Sequence, residues 1–226
     1  EDVLDPSFAR LAPADADTAV LCGFDLAAAL DAVRSRLPAA GRTGLDSALA
    51  EIENDSGLDV RTAILENFGP NVLFTSRGNL AHAMSRSDVY DAALAIQVRN
   101  EAAAQSILGM AFEANPAAFK ARSADDLRYV SIGLPVPELA WLDLSFGIHD
   151  GLLVVATSGE MLEEIFANAK TTDVRCAPLS TALAAAAPGT FYVSTADTRA
   201  ELESLLEFAR MGSLDTPGAS VVPFEL

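Results

Sequence analysis

Hydrophobic and polar residues along the chain follow two spacings, one typical of β-strands and one typical of amphipathic helices. Near the N-terminus, a short apolar run predicts a buried strand, Asp25 follows as a helix N-cap, and apolar residues then recur at helical spacing. Near the C-terminus, another apolar run is followed in the same way by Asp197 and a second amphipathic helix. These similar strand–Asp–helix units predict one sheet to which both ends of the chain contribute.

The same helical spacing predicts several more helices in the first third of the chain. The helix capped by Asp25 ends before Pro38, and a second, short helix around residues 45–52 ends at the breaker 54–57. Asp59 caps a third helix that continues through Phe68, with Gly69 and Pro70 after it.

Three helices are predicted further along. Residues 101–114 form an alanine-rich helix. Thr157 and Glu160 have the spacing of a capping box before another helix, and Pro178 opens a short one that stops at residues 188–189. The predicted buried stripe after the capping box consists of Met161, Leu162, Ile165, Phe166 and Ala169.

Strands are predicted at residues 71–76, 90–99, 127–134, 141–148 and 152–157. His149, Asp150 and Gly151 join the last two as a tight hairpin, because Asp-Gly favours a turn with positive φ. Strands joined by a hairpin, with helices grouped between them, indicate an α+β fold with a largely antiparallel sheet packed against several helices. A doubly wound parallel sheet fits less well because residues 71–157 lack regular strand–helix alternation.

The domain prediction follows from this pattern and from chain length. At 226 residues the chain can bury a sizeable core. We expect a single α+β domain over residues 1–210. Residues 211–226 contain Gly, Pro and Ser and are expected to form a linker or extension. Residues 77–87 are predicted to form a polar loop.

Charge restricts the partners. The formal net charge of −17 disfavours nucleic acid and anionic membrane surfaces, since those contacts depend on Lys and Arg facing phosphate. The longest apolar stretches fall far short of the roughly 18 residues that a membrane span needs, so we expect no direct membrane insertion by this segment.

Cys22 and Cys176 are either reduced residues, with Cys22 a buried small hydrophobe, or a disulfide pair.

Candidate catalytic chemistry is sparse. The two histidines, His82 in the polar loop and His149 at the hairpin tip, are expected to be exposed, and no Cys or His spacing suggests zinc. The common nucleophile-elbow, phosphate-loop and dinucleotide motifs are absent from the sequence. We therefore predict no catalytic, cofactor-binding or metal-binding residues and no cofactor.

The acidic residues have two interpretations each. Asp15 and Asp17 could offer oxygens to a cation or belong to a solvated turn, and Asp25 with Asp197 could form a carboxylate pair or act as separate helix caps. The ordinary interpretation is favoured in both cases. Turn and surface roles are expected for the remaining candidates, namely Asp125 and Asp126 in a turn, and Glu163, Glu164, Glu201, Glu203 and Glu207 on solvated helix faces.

The order of these segments resembles a known family. Residues 11–30, 57–74, 150–162, 178–183 and 191–193 together are similar to an uncharacterised bacterial domain-of-unknown-function family whose members are exported or membrane-anchored. The resemblance implies an extracytoplasmic setting and a longer parent protein, and it carries no catalytic residues. The start at Glu1 rather than Met agrees with a processed or excised chain.

The leading functional hypothesis is a non-enzymatic extracytoplasmic domain for binding or structural interaction, with an unknown protein or small-molecule ligand. A binding groove is expected on a sheet face flanked by residues 77–87. The alternatives are a hydrolase or other enzyme with an unfamiliar acidic site, and a cation-dependent adhesion module.

Overall fold

A computed structural model describes residues 4–23, 25–78, 90–114, 116–124, 126–133, 142–187 and 190–196. Its strands are β1 (Thr18–Gly23), β2 (Phe68–Arg77), β3 (Asp91–Val98), β4 (Phe119–Ala124), β5 (Leu127–Gly133), β6 (Asp143–His149), β7 (Leu152–Ala156) and β8 (Tyr192–Ala196). They form one sheet in the order β4-β5-β6-β7-β3-β2-β1-β8, and every neighbouring pair is antiparallel.

The helices of the described ranges are α1 (Leu26–Arg36), α2 (Ala39–Ser56), α3 (Glu101–Ala114), α4 (Gly159–Ala169) and α5 (Ala177–Ala185). Short 3-10 turns span Pro6–Leu11 and Pro116–Ala118, and a short π-helix spans Arg61–Leu65. An antiparallel sheet packed against several helices confirms the predicted α+β fold. None of the described helices combines the length and apolar character needed to cross a membrane.

The main hydrophobic core lies on one face of the sheet, which we call the core face. Leu21, Leu73 and Val154 of the central strands are fully buried there. Leu162 and Ile165 of α4 belong to the same cluster and are also fully buried. Burying a side chain of this size contributes about 1.5–3 kcal/mol, so α4 is a major source of stability.

The other face, which we call the open face, is less completely covered. Successive strand residues point to opposite faces, so Leu153 and Val155 of β7 lie opposite Val154. Leu153 joins a small second cluster with Val98 and with Ala104 of α3. By contrast, α1 contains no fully buried residue. Space remains on the open face between α3 and the β4–β6 end of the sheet.

Both ends of the described chain contribute neighbouring strands, as predicted, because β1 pairs with β8 from Thr18–Ala196 to Cys22–Tyr192. The Asp25 cap is confirmed, since its carboxylate accepts a hydrogen bond from the Ala28 N–H at 2.9 Å. Asp197, the helix predicted after it and residues 211–226 lie outside the described residues.

The third predicted helix is wrong in extent. Asp59 does accept a hydrogen bond from the Thr62 N–H at 3.1 Å, but only the five-residue π-helix follows. Phe68, Gly69 and Pro70 are instead the first residues of β2. The ladder with β3 is irregular between Phe68 and Val72, which accommodates Pro70 because proline cannot donate to a ladder.

The predicted capping box of Thr157 and Glu160 is wrong, because the helix begins one residue later with a simple serine N-cap. Ser158, not Thr157, caps α4, with its hydroxyl accepting from the Met161 N–H at 3.2 Å. Thr157 Oγ1 accepts instead from the Ala92 N–H at 2.8 Å. The buried stripe that follows is confirmed, with Ala169 partly buried at its end.

Two other differences concern length and number. The helix predicted around residues 45–52 is longer, since α2 covers Ala39–Ser56 and ends at Gly57 with φ of 69°. The strand β4 was not predicted at all.

The hairpin turn is confirmed, with φ of 50° at Asp150 and 73° at Gly151.

Candidate binding groove

A groove of about 670 Å³ lies between α3 and the β4–β6 end of the sheet. This volume is within the range of about 300–1,000 Å³ that ligand sites usually have. The groove is therefore the candidate ligand site among the described residues.

Apolar side chains form its floor and one wall. Ala121 pairs with Val130, and Val130 pairs with Phe146, so the three stand side by side on the open face across β4, β5 and β6. Leu108 and Phe112 of α3 form the wall. Apolar groups of a ligand would gain about 25 cal/mol for each Å² that they remove from water here.

The groove stays open because a glycine lies in its helical wall. Apart from the two neighbouring residues and the helix's own backbone, no atom lies within 4 Å of the position that a Cβ of Gly109 would occupy. Glycine inside a helix is about 0.5–1 kcal/mol less favourable than alanine, so Gly109 costs stability while leaving the groove empty. Phe112 packs against Phe119 at the start of β4 instead of filling this space, with ring centroids 4.5 Å apart.

Glu101, Gln105, Asp126 and Arg128 line the rim of the groove with polar and charged groups. Arg122 and His149 also line the groove, although their side chains point to the core face. Glu101 is held at one end, because its carboxylate accepts hydrogen bonds from Gln105 at 3.1 Å and from the Gly151 N–H at 3.3 Å. Arg122 donates from Nε to Ser131 Oγ at 3.3 Å. The rim thus offers both signs of charge around an apolar floor.

Two residues that line the groove, Asp126 and His149, are candidates from the sequence. Asp126 lies in the predicted turn and pairs with Lys170 at 3.2 Å, and the hydrogen bond from Lys170 is the main cause that holds the Asp126 pKa below its usual value. Asp125 lies outside the described residues. The His149 side chain is only 32% exposed, less than its hairpin position suggested, and its ring meets Phe166 edge-on at 6.1 Å.

Beside the groove, Tyr129 links β5 to α4 on the core face. Its hydroxyl donates to Glu163 Oε1 at 2.7 Å. Desolvation by burial, together with this hydrogen bond, raises the pKa of Tyr129 to about 12. The prediction that Glu163 is simply solvated is therefore wrong, because this carboxylate has a protein partner.

A second polar group, the Arg77 cluster, consists of Arg77, Asp15, Asp91 and Glu164. The guanidinium lies 3.3 Å from Asp15, 3.3 Å from Asp91 and 2.9 Å from Glu164. Asp91 also accepts a hydrogen bond from Ser158 Oγ at 2.8 Å. Glu164 was likewise expected to be solvated, and its side chain is 34% exposed. The cluster ties β2, β3 and α4 together, which is a structural role.

The acidic residues considered for a cation site or a carboxylate pair have other partners in the structure. Asp17 accepts a hydrogen bond from the Gly78 N–H at 2.8 Å, while Asp15 belongs to the Arg77 cluster. Among the described residues, no group of three or more His, Cys, Asp or Glu side chains is placed to hold a metal ion. Asp25 is an exposed cap, and its suggested partner Asp197 lies outside the described residues.

The disulfide alternative is wrong, because Cys22 and Cys176 are both free. Cys22 is partly buried in β1, and this burial raises the pKa of its thiol. A raised pKa disfavours the thiolate, the form in which cysteine acts as a nucleophile. Cys176 is fully buried at the N-cap position of α5.

Other candidates from the sequence lie outside the described residues, namely His82, Glu201, Glu203 and Glu207. The same holds for most of the loop 77–87, beside which a groove was expected. The groove described above lies instead at the β4 end of the sheet. One sequence signal could have indicated it, because Gly109 interrupts an otherwise alanine-rich helix.

No family model, curated protein or solved structure matches the chain. The family resemblance suggested by the sequence therefore stays a prediction. The groove, with its apolar floor and mixed rim, remains the basis for inferring function.

Proposed function

We propose that this α+β protein is a non-enzymatic binding domain whose groove receives apolar groups of a protein or small-molecule ligand. The observation that supports the proposal is an apolar groove that the chain leaves unfilled at Gly109. Val130, Phe146 and Leu108 would contact the apolar part of the ligand, and the polar rim would orient it.

Apolar contact alone gives weak binding. One aromatic group buries about 150–250 Å², which corresponds to about 4–6 kcal/mol at 25 cal/mol per Å². Association costs at least about 4 kcal/mol in lost translational and rotational freedom. A ligand that binds this domain tightly must therefore also contact polar groups at the rim.

Filling the groove tests the proposal. We expect 1-anilinonaphthalene-8-sulfonate, an apolar fluorescent probe, to bind the wild-type protein saturably with enhanced fluorescence. In the variant Gly109→Trp the indole would occupy the groove, because Gly109 lines the groove and its Cβ position is unobstructed. The probe's affinity should fall by about tenfold or more, which corresponds to the loss of at least 1.4 kcal/mol of contact.

Gly44→Trp provides the matched control. Gly44 also lies in a helix, α2, and no atom lies within 4 Å of its Cβ position, but it does not line the groove. Circular dichroism should show that both variants are folded. Absence of saturable probe binding to the wild-type protein, or equal loss in both variants, would contradict the proposed site.

The extracytoplasmic setting is part of the proposal and is supported by the sequence resemblance alone. Finding this domain in the cytoplasmic fraction of its native cells would argue against that setting. The hydrolase and the cation-dependent adhesion module stay predictions. Hydrolytic turnover that survives further purification would favour the first, and heat released on calcium titration would favour the second.

A further inference from the structure

The strand β4 forms one edge of the described sheet. It pairs with β5 from Phe119–Ile132 to Ala124–Leu127 and has no partner on its other side among the described residues. Its four middle residues, Lys120 to Ser123, are all exposed. In an antiparallel ladder alternate residues of an edge strand direct their N–H and C=O groups outward, so β4 can accept a further strand.

The edge strand β4 contains two basic residues and no acidic one, although the protein is strongly acidic. Lys120, Arg122 and Arg128 lie on the β4–β5 hairpin, while the whole chain has a net charge of −17. None of the three forms an ion pair with a carboxylate in the described part of the chain. The described residues thus leave these three charges without a paired carboxylate.

These charges stand on both faces of the edge. Lys120 pairs with Ser131 and Arg122 with Tyr129, which place both basic side chains on the core face. Arg128 pairs with Ser123 and lies on the open face, where it lines the groove. A strand added beside β4 would therefore meet basic side chains whichever way its acidic side chains point.

The groove is continuous with this edge. Ala121 of β4 belongs to the groove floor, so an added strand would place every second side chain on the open face at the mouth of the groove. Backbone pairing and apolar contact would then occur together. This is the combination that extended peptides use when they add to a sheet edge.

We propose that β4 accepts an extended, acidic segment of a partner protein as an additional antiparallel or parallel strand, with apolar side chains of that segment entering the groove. This inference rests on the proposed function, since it uses the same groove. Lys and Arg on the edge oppose pairing between two copies of β4 and favour an acidic partner. The distant negative charges of the protein matter less, because the Debye length is about 8 Å at physiological ionic strength.

A labelled peptide of alternating Val and Glu tests the partner class by fluorescence anisotropy. We expect it to bind the wild-type protein with an affinity that falls as salt is added. The matched peptide of alternating Val and Lys should bind about tenfold more weakly or worse. A Val-Glu peptide N-methylated at every residue should also lose binding, because neither of its edges can donate to the ladder.

Two double variants of the protein distinguish the effect of the basic residues on β4 from the effect of net charge. Lys120→Glu with Arg122→Glu should weaken binding of the Val-Glu peptide by about tenfold or more. The control is Arg36→Glu with Arg42→Glu, which makes the same charge change at exposed residues of α1 and α2. This control should retain the wild-type affinity, and circular dichroism would establish that both double variants are folded.

Several results would overturn the inference. They are no binding of the Val-Glu peptide up to about 1 mM, equal binding of the Val-Lys or N-methylated peptide, and equal effects of the two double variants. If the fluorescent probe still binds wild-type protein and is lost in Gly109→Trp, only the peptide inference fails. If the probe does not bind the wild-type groove, the proposed function itself fails.

Discussion

Single polar residues join the sheet of this protein to its principal helix. Tyr129 of β5 reaches α4 and donates its hydroxyl to Glu163. Gly159, the first residue of α4, permits this approach, since a Cβ there would lie 2.7 Å from the Tyr129 hydroxyl oxygen. The phenol is thereby held in its neutral form, with its pKa raised to about 12 by desolvation and by the Glu163 bond.

The Glu163→Gln variant tests this account at the residue scale. We expect the pKa of Tyr129 to fall from about 12, because a neutral amide no longer repels the phenolate and can donate to it. Phenolate absorbance in the near ultraviolet during alkaline titration measures the change. Tyr129→Phe should remove the titration step near pH 12.

Stability should respond to the same shift. The pKa of Tyr129 in the folded protein lies above the unfolded value of about 10. The stabilisation of the folded state by neutral Tyr129 is therefore fully present below pH 10 and is lost as pH rises toward 12. A pKa of Tyr129 near the ordinary value of about 10 in the folded protein would contradict the assignment.

At the scale of elements, the helices differ in how firmly they are bound to the sheet. The buried stripe of α4 lies in the main core, whereas α1 has no fully buried residue. Their N-caps are alike in kind, since Ser158 and Asp25 each accept a backbone N–H three residues ahead. Equivalent changes at the two caps should therefore have unequal effects.

We expect Ser158→Ala to lower the free energy of global unfolding by about 1–2 kcal/mol, since it removes the α4 cap and the hydrogen bond to Asp91. Asp25→Ala is the matched control and should cost at most about 1 kcal/mol. Its helix can open locally without exposing the main core. Urea unfolding measures both, and a larger loss in Asp25→Ala would show that α1 is the more important support.

The same elements show what local sequence can predict. The Asp25 cap, the α4 stripe and the Asp150–Gly151 turn depend on neighbouring residues, and each was predicted correctly. The strand β4 has no apolar alternation because its middle residues are exposed, and only pairing with β5 makes it a strand.

The groove could not be predicted for a related reason. Its wall comes from α3 and its floor from β4–β6, and no sequence spacing brings these elements together. The roles of Glu163 and Glu164 depend in the same way on partners far along the chain, Tyr129 and Arg77.

At the scale of the whole molecule, negative charge exceeds what internal pairing can balance. The chain has 32 Asp and Glu residues against 15 Lys and Arg. Even the Arg77 cluster combines three carboxylates with a single guanidinium. Such an excess repels itself in the compact state, which lowers stability at low ionic strength.

Salt should therefore stabilise the fold while weakening the binding proposed at β4. Between about 0.01 M and about 1 M NaCl the Debye length falls from about 30 Å to about 3 Å, so long-range repulsion is screened. We expect the melting temperature to rise. For a chain of this size, each 1 kcal/mol added to the free energy of unfolding raises it by roughly 2–4 °C. Thermal unfolding followed by circular dichroism measures this. A falling melting temperature would mean instead that close ion pairs, the Arg77 cluster foremost, contribute more to stability than the general repulsion removes.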